Sequence, residues 1–209
     1  MLLYLQIMLA QLQKSREYFE SGATKSFAFR KQQLQLLAAA IKKYEAEIAG
    51  ALHTDLGKSY TEAYASEIAL VQMEISFFLK NLRQLMQPKL VDTNLMNLPA
   101  SSKMYYDPLG VVLIIAPWNY PFQLLMNPLV GAISAGCCAV LKASDTAPAI
   151  AGVMKKIIDC CFQKEHVCLF SGAKAMNELL FEQRFDLIFF TGSTNLGKVV
   201  MRAAAEHLT

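Results

Sequence analysis

Two stretches in the first 90 residues carry apolar side chains at helical spacing, with charged residues between them. The first runs from Phe27 to Leu52, and its apolar stripe contains Leu34, Leu37, Ile41, Ile48 and Leu52. The second runs from about Thr61 to Met86, and its stripe contains Ile68, Val71, Ile75, Phe78, Leu82 and Met86. Recurrence at three, four and seven residues predicts one long amphipathic helix for each stretch, separated near Gly57.

The N-terminal stretch MLLYLQIMLAQLQKSREYF is also apolar at helical spacing, with Leu2, Leu5, Leu9 and Leu12 on one side. It lacks the basic start and the small-residue cleavage site of a signal peptide, and its apolar run is too short to span a bilayer. We therefore expect a first amphipathic helix that packs on the body of the protein. Contact of this helix with a membrane surface is the less favoured alternative.

The pattern changes after Gln87. Residues 87–102 contain two prolines and scattered polar side chains without a sustained period, which predicts a linker, and SKMYYDP from Ser102 predicts a short edge strand. Four compact apolar runs follow at Val111–Ile115, Cys137–Lys142, His166–Phe170 and Asp186–Phe190. Helical patterns follow these runs at Phe122–Ala135, Thr146–Phe162, Ala173–Gln183 and Asn195–Glu206.

Alternating strands and helices predict an α/β fold with a doubly wound, Rossmann-like parallel sheet. We divide the chain into a helical part at 1–87, a linker and edge strand at 88–108, and a dinucleotide-binding part at 109–209. The chain has 209 residues, 54% of them apolar, which is enough for a sizeable core. Its net charge of +3 is scattered, and without a run of basic residues it gives no reason to expect a nucleic-acid partner.

The five cysteines form two adjacent pairs and one single residue. They match neither a zinc-binding spacing nor a disulfide framework, so we expect no metal site and a reducing, cytoplasmic location.

The first strand run ends in a loop that carries an uncharged hydrogen-bond donor. Pro117 stops the run, and Trp118 and Asn119 follow at the carboxyl end of a parallel strand, where open α/β sheets bind ligands. The amide of Asn119 can donate hydrogen bonds to a developing oxyanion. A turn asparagine that bonds to local backbone is the structural alternative.

Two further strand ends show related features. Lys142 ends the second run and Asp145 follows three residues later, where dinucleotide folds place an acid that accepts from ribose hydroxyls. The alternative is that Asp145 caps the next helix. At the fourth run, Gly192 and Ser193 precede a helix whose first N–H groups form an anion site, although Gly192 and Gly197 also suit a plain turn and a close helix contact.

The order PLGVVLIIAPWNYPF, NPLVGAISAGCCAVLKASDTAP and FDLIFFTGSTNLGKVV resembles the NAD(P)-dependent aldehyde dehydrogenases. Within that family the chain is most similar to the class 3 branch, which acts on fatty and aromatic aldehydes, through FRKQQLQLLAAAIKKYEAEIAGALHTDLGKS and EAYASEI. The resemblance covers nearly the whole chain. It implies an aldehyde dehydrogenase-like fold, an aldehyde substrate and a homo-oligomer, a dimer, for the full-length protein.

The resemblance also assigns roles to particular residues. Asn119 matches the family's asparagine that helps to bind the thiohemiacetal oxyanion. The cofactor residues implied in the same way lie near the nicotinamide ribose, at the adenosine ribose and at the pyrophosphate: Ala116 and Trp118, then Lys142 and Asp145, then Gly192 and Ser193.

Two departures from the family pattern modify this expectation. Lys142-Ala143-Ser144-Asp145 replaces the commoner Lys-Pro-Ser-Glu, and the shorter acid repels a 2′-phosphate less. We expect NAD as the cofactor, with NADP as the alternative.

The second departure is that the sequence ends before the family's L-E-L-G-G segment and its G-Q-x-C cysteine segment. We therefore expect a truncated, N-terminal cofactor-binding half that is inactive alone. A non-catalytic nucleotide-binding or assembly module is the alternative function.

Overall fold

The computed structural model describes residues 2–172 and 174–209. Its helices are α1 (Leu2–Glu20), α2 (Phe27–Lys43), α3 (Glu45–Leu56), α4 (Tyr60–Ala63), α5 (Ala69–Leu85), α6 (Pro121–Ala135), α7 (Pro148–Cys161), α8 (Lys174–Phe181) and α9 (Thr194–Glu206). A π-helical turn (Tyr64–Ile68) joins α4 to α5, and a 3₁₀ turn spans Leu95–Asn97. The strands are β1 (Lys89–Val91), β2 (Ser102–Met104), β3 (Val111–Ile115), β4 (Cys138–Lys142), β5 (Val167–Phe170) and β6 (Leu187–Phe190).

A four-stranded parallel sheet lies at the centre, in the order β5-β4-β3-β6. Leu113 of β3 pairs with Val140 of β4 on one side and with Ile188 of β6 on the other. The chain winds outward from β3 through β4 to β5 and then returns to β6 on the far side of β3. This reversal confirms the predicted α/β fold and creates a crevice at the carboxyl ends of β3 and β6.

Helices cover both faces of this sheet because alternate residues of each strand point to opposite sides. Leu113 and Val140 belong to a cluster that includes Met8 of α1 and Leu180 of α8. The opposite face packs on α6 and α7, and α2, α3 and α5 extend the same cluster outward; among its members are Val112, Ile114, Ala139, Leu141, Leu37, Leu52, Val71, Phe122, Leu129 and Ile157.

The prediction of one helix over Phe27–Leu52 is wrong. The chain leaves helical geometry at Tyr44, with φ −97° and ψ 11°, and α3 starts at the next residue. Ile41 and Ile48 are fully buried on either side of the break. The apolar stripe therefore continues through it, and periodicity alone cannot reveal a bend that keeps the same face inward.

The second predicted helix is continuous from Tyr60 to Leu85, but its first part contains the π-helical turn. Such a turn adds one residue to the ring closed by each hydrogen bond. Glu67 lies in this turn and is fully buried.

The predicted edge strand from Ser102 does not join the parallel sheet. Ser102–Met104 instead pairs antiparallel with Lys89–Val91, inside the predicted linker. Both strands have three residues and are largely exposed, so they lack the apolar alternation that marks a strand in sequence.

Helix α1 lies on the sheet, as expected, although its buried side differs from the predicted stripe. Met8 and Leu12 are buried, whereas Leu9 is 41% exposed. The predicted start of α8 at Ala173 lies outside the described residues. Among the residues that are described, no helix is both long enough and apolar enough to cross a membrane.

Candidate functional site

A cavity of about 250 Å³ opens at the carboxyl ends of β3, β4 and β6. Six of the seven residues singled out in the sequence line it: Ala116, Trp118, Lys142, Asp145, Gly192 and Ser193. The seventh, Asn119, does not line the cavity and follows Trp118 in the exposed part of the loop. The sheet topology thus brings together residues that are up to 77 positions apart, since Ala116 and Ser193 meet at one crevice.

The loop after β3 starts buried and ends exposed. Ala116 is buried, and its backbone N–H donates to the carbonyl oxygen of Lys142 over 3.3 Å, which ties the loop to β4. Trp118 is 54% exposed at the mouth of the cavity. Among the described residues, the side-chain amide of Asn119 has no hydrogen-bond partner, so the amide is available to a ligand.

Lys142 is a buried cation with unused donor capacity. Its side chain is 2% exposed, and Nζ donates to the carbonyl oxygen of Ala143 over 2.7 Å. The nearest carboxylate oxygen, Oδ1 of Asp145, is 4.0 Å from Nζ. Burial lowers the pKa of the Lys142 ammonium, and the carboxylate of Asp145 partly opposes that shift. An ammonium with three N–H groups and one short hydrogen bond can donate to a ligand in this cavity.

Asp145 does not cap the following helix, which was the structural alternative for this residue. Helix α7 begins at Pro148, and its first N–H groups are bound by a residue from another helix. Asp55 of α3 accepts from the backbone N–H of Ala149 at 3.2 Å and of Ile150 at 2.8 Å. Asp145 remains half exposed at the cavity, where its carboxylate is free to accept hydrogen bonds.

Helix α6 is capped from a distance in the same manner. Oε2 of Glu67 accepts from the backbone N–H groups of Phe122 at 2.8 Å and Gln123 at 3.2 Å. A carboxylate at a helix N-terminus satisfies the free N–H groups and the positive end of the helix dipole. The N-termini of α6 and α7 therefore already hold negative groups and do not offer sites for an anionic ligand.

Helix α9 differs from α6 and α7 at its N-terminus. Its cap is the neutral hydroxyl of Ser193, whose Oγ accepts from the backbone N–H of Leu196 over 3.4 Å, whereas α6 and α7 bind a carboxylate from another element. The preceding Gly192 lies close to an aromatic ring, because a Cβ built at this position would be 2.5 Å from Cζ of Phe190. This turn thus keeps the helix N-terminus open to the cavity.

Sequence reasoning missed other residues that line the same cavity, including Thr191, Phe190 and Asn177. Asn177 is notable because its Oδ1 is buried and has no hydrogen-bond partner among the described residues. Thr191 and Phe190 lie inside the quoted FFTGS motif, so their position after β6 was the available signal. Asn177 lies within α8, and a single sequence offers no comparable signal for it.

Three of the five cysteines lie in surroundings that disfavour nucleophilic chemistry. Burial raises the pKa of Cys138 and Cys168 to about 12, and also that of Cys161. Because the thiolate is the reactive form, these thiols are inert near neutral pH. Cys160, in contrast, is exposed.

A second, larger groove of about 560 Å³ lies between α6 and β6. Its lining is mostly apolar and includes Leu124, Leu187 and Phe189. None of the seven residues singled out in the sequence lines this groove. We therefore assign the polar cavity, and not the apolar groove, as the candidate site.

A parallel α/β sheet with a polar crevice at its topological switch point defines a protein of the doubly wound class. Residues 8–209 match the aldehyde dehydrogenase family, and the chain belongs to that family. It is 44% identical over 194 residues to 4,4'-diaponeurosporen-aldehyde dehydrogenase of Staphylococcus aureus, which covers 93% of this chain. It is 41% identical over 194 residues to aldehyde dehydrogenase family 3 member H1 of Arabidopsis thaliana, again over 93% of this chain. These relatives confirm the class 3 resemblance.

Solved structures of aldehyde dehydrogenases are also similar to this chain. A substrate-bound AldH from Staphylococcus aureus superposes with a TM-score of 0.95 at 42% identity, covering 97% of this chain and 44% of that one. Betaine aldehyde dehydrogenase from Staphylococcus aureus in complex with NAD+ superposes with a TM-score of 0.82 at 26% identity, covering 95% of this chain and 40% of that one. The chain spans 42% and 40% of the length of the two relatives named above.

Proposed function

We propose that this chain forms the cofactor-binding part of an NAD(P)-dependent aldehyde dehydrogenase that oxidises aldehydes to carboxylic acids. The observation that carries the proposal is the convergence of six motif residues on one cavity at the topological switch point. Family membership supports the reaction class, and the residues that line the cavity support a cofactor site there.

The chemistry of the cavity fits a dinucleotide. Lys142 offers N–H donors, Asp145 offers a half-exposed carboxylate, and Asn177 has a buried acceptor oxygen that has no partner in the described part of the chain. Ribose hydroxyl groups both donate and accept hydrogen bonds, so they complement this mixed set. We assign Lys142 and Asp145 to the adenosine ribose, and Ala116 and Trp118 to the nicotinamide side.

The pyrophosphate is assigned to Gly192, Ser193 and the N-terminus of α9. An anion is stabilised by free N–H groups at a helix N-terminus. Because carboxylates of Glu67 and Asp55 occupy the N-termini of α6 and α7, the pyrophosphate would be repelled there. This distribution of charge favours α9.

Asn119 is the residue of this chain that we assign to catalysis. A bound nicotinamide would supply an acceptor for the hydride that leaves the substrate carbon. The side-chain N–H groups of Asn119 donate to the oxygen on which negative charge develops, and one such donor contributes roughly 10²- to 10³-fold in rate. Burial keeps the thiols of Cys138, Cys161 and Cys168 protonated, so we assign the nucleophile to none of these three.

We propose NAD as the cofactor. Asp145 faces the end of the cavity assigned to the adenosine ribose, and its negative charge disfavours the additional phosphate of NADP. We also propose that the protein is cytoplasmic, in keeping with its free cysteines. A homo-oligomer is supported by the exposed apolar residues between β1 and β2, where Leu95 is 82% and Met96 90% exposed.

The test is a titration with NADH in which Trp118 is excited and the emission of the bound nicotinamide is recorded. Trp118 is the single tryptophan of the sequence and lines the cavity, so energy transfer reports binding at this site. Replacing Lys142 with Met removes the charge while keeping the buried stem. We expect the dissociation constant to rise about tenfold, equivalent to the loss of a charge-assisted hydrogen bond of about 1.4 kcal/mol.

The matched control is Lys156→Met on α7, because Lys156 is an exposed lysine that pairs with Glu47 away from the cavity. It should bind NADH as the unmodified chain does. Absence of binding by the unmodified chain at millimolar NADH would contradict the cofactor proposal. A parallel titration with NADPH compares the two cofactors.

A further inference from the structure

A buried ion pair lies directly behind the loop that carries Asn119. Nζ of Lys58 and Oε1 of Glu67 are 2.6 Å apart, with the lysine side chain 8% and the glutamate side chain 0% exposed. Lys58 lies between α3 and α4, and Glu67 lies in the π-helical turn. Neither residue belongs to the motifs that identify the cofactor cavity, and neither lines that cavity.

Lys58 contacts two consecutive residues of the loop. Its Nζ donates to the backbone carbonyl oxygen of Asn119 over 3.0 Å. The same Nζ lies 4.0 Å from the ring centroid of Tyr120, which is a cation–π distance. The ammonium therefore restrains the backbone on the carboxyl side of Asn119.

Glu67 restrains the segment that follows. One carboxylate oxygen binds Lys58, and the other accepts from the N–H groups of Phe122 and Gln123 in the first turn of α6. Both ends of the short stretch from Asn119 to Gln123 are thus bound to one buried ion pair. Lys58 and Glu67 thus bind neighbouring backbone groups as well as each other.

The contacts of Lys58 and Glu67 restrain a loop whose own side chains are exposed. Trp118, Asn119 and Tyr120 are all exposed, and the Asn119 side chain has no hydrogen-bond partner among the described residues. Because no hydrogen bond holds this side chain, its placement depends on how firmly its backbone is held. A donor that stabilises a developing oxyanion needs placement to within about 0.5 Å. A mobile exposed loop does not provide such placement by itself.

A role in stability alone does not account for the contacts that the Lys58–Glu67 ion pair makes with the loop and with α6. A buried ion pair is weak evidence for stability, because apolar replacements of similar volume often do as well. Here the two side chains also provide a donor for one backbone carbonyl group and an acceptor for two helix N–H groups. Local π-helical geometry of this kind is frequent at functional sites, and here it places Glu67 at the start of α6.

We infer that Lys58 and Glu67 are positioning residues, which fix the backbone of the Asn119 loop so that the Asn119 amide is held in place for the reaction. This inference rests on the proposed function, in which Asn119 binds the oxyanion. Neither side chain is assigned a contact with substrate or cofactor.

The test uses Trp118, which precedes Asn119 and is the single tryptophan. Fluorescence anisotropy and acrylamide quenching of Trp118 report the mobility and exposure of this loop. Lys58→Met and Glu67→Gln should raise the quenching constant about twofold as the loop loses its restraints. Lys58→Arg, which keeps a donor and the positive charge, should restore most of the unmodified value.

The matched control is Arg30 of α2, which contacts the other end of α6. Arg30 is buried and donates from Nη1 to the carbonyl oxygen of Ser134, near the end of α6, and from Nε to that of Thr24. Arg30→Met should lower the denaturant midpoint without changing the quenching of Trp118.

The outcomes separate this inference from the proposed function. Quenching that is unchanged in both Lys58→Met and Glu67→Gln would overturn the inference, and so would an equal increase in Arg30→Met. If the unmodified chain does not bind NADH, the cofactor proposal fails, whereas the Trp118 comparison still decides whether the ion pair holds the loop.

Discussion

The carboxylate of Asp55 in α3 caps a helix that begins 93 residues later, with Oδ2 accepting from the N–H of Ile150 over 2.8 Å. The contact joins the N-terminal helical part to the helix that follows β4. Side chains from the first 70 residues thus cap helices α6 and α7 near the candidate site.

We expect Asp55→Ala to lower the free energy of unfolding by about 1 kcal/mol, because two N–H groups of α7 lose their acceptor. Urea denaturation followed by circular dichroism measures the change. The control is Asp159→Ala, which removes an exposed carboxylate paired with Lys155 on the same helix and should change stability by less than about 0.5 kcal/mol. Equal effects of the two variants would contradict a capping role.

The second prediction concerns the two glycines at the start of α9. Gly192→Ala places a methyl group 2.5 Å from Cζ of Phe190, so the ring must move, and Phe190 lines the cavity. We expect weaker NADH binding, with a dissociation constant raised about tenfold. Gly197→Ala is the control, because its added Cβ meets Phe190 at an ordinary 3.6 Å. That variant should bind NADH normally and stabilise the helix by roughly 0.5–1 kcal/mol.

The third prediction is a pH dependence that arises at His166. The ring is 1% exposed and lies among Tyr18, Phe29 and Phe162, and burial lowers its pKa from 6.5 to about 4. Between pH 6.5 and 4 the unfolded chain binds a proton that the folded chain does not, so this contribution to stability is present above about pH 6.5 and is lost as the pH falls.

The loss through His166 approaches about 3 kcal/mol near pH 4. His166→Phe keeps an aromatic ring in this cluster and removes the titration. Urea unfolding at pH values from 4.5 to 7.5 should therefore give a smaller slope for His166→Phe than for the unmodified chain. Parallel slopes for the two proteins would show that another group governs the acid sensitivity.

The fourth prediction concerns the outer strand β6, which pairs with β3 and with no other strand of the described residues. Leu187 is 41% and Phe189 44% exposed on this strand. An apolar edge of this kind promotes pairing between chains. Sedimentation velocity should show concentration-dependent association that Leu187→Lys reduces. Met201→Lys, which changes a 73% exposed residue on α9, should leave the association unchanged.

The sequence predicts the strands and the cavity, but it does not predict the contacts that support them. Val111–Ile115 was predicted with the observed bounds, and the other three parallel strands began within one residue of the prediction. Each is a short apolar run buried on both faces or bounded by polar residues, which is a strong local signal. The parallel topology then placed their carboxyl ends together.

The capping carboxylates have no such local signal. Glu67 contacts residues 55 and 56 positions away, and Asp55 contacts residues 94 and 95 positions away. In the sequence both appear as ordinary acidic residues of amphipathic helices. The break at Tyr44 was hidden for a related reason, because tertiary packing buries the residues on both sides of it.

The position of α1 has a consequence for how the protein is made. Arg16 of α1 binds Asp186 and donates to the carbonyl oxygen of Arg184, while Met8 packs with Leu180 and Phe185. A ribosome adding about 5–20 residues per second needs roughly 10–30 s to reach these partners after α1 has been synthesised. During that interval β3 and β4 cover only part of the apolar side of α1, because Leu180 and Phe185 of the same cluster are still missing. The nascent chain therefore offers a chaperone a partly exposed segment until Phe185 has been synthesised.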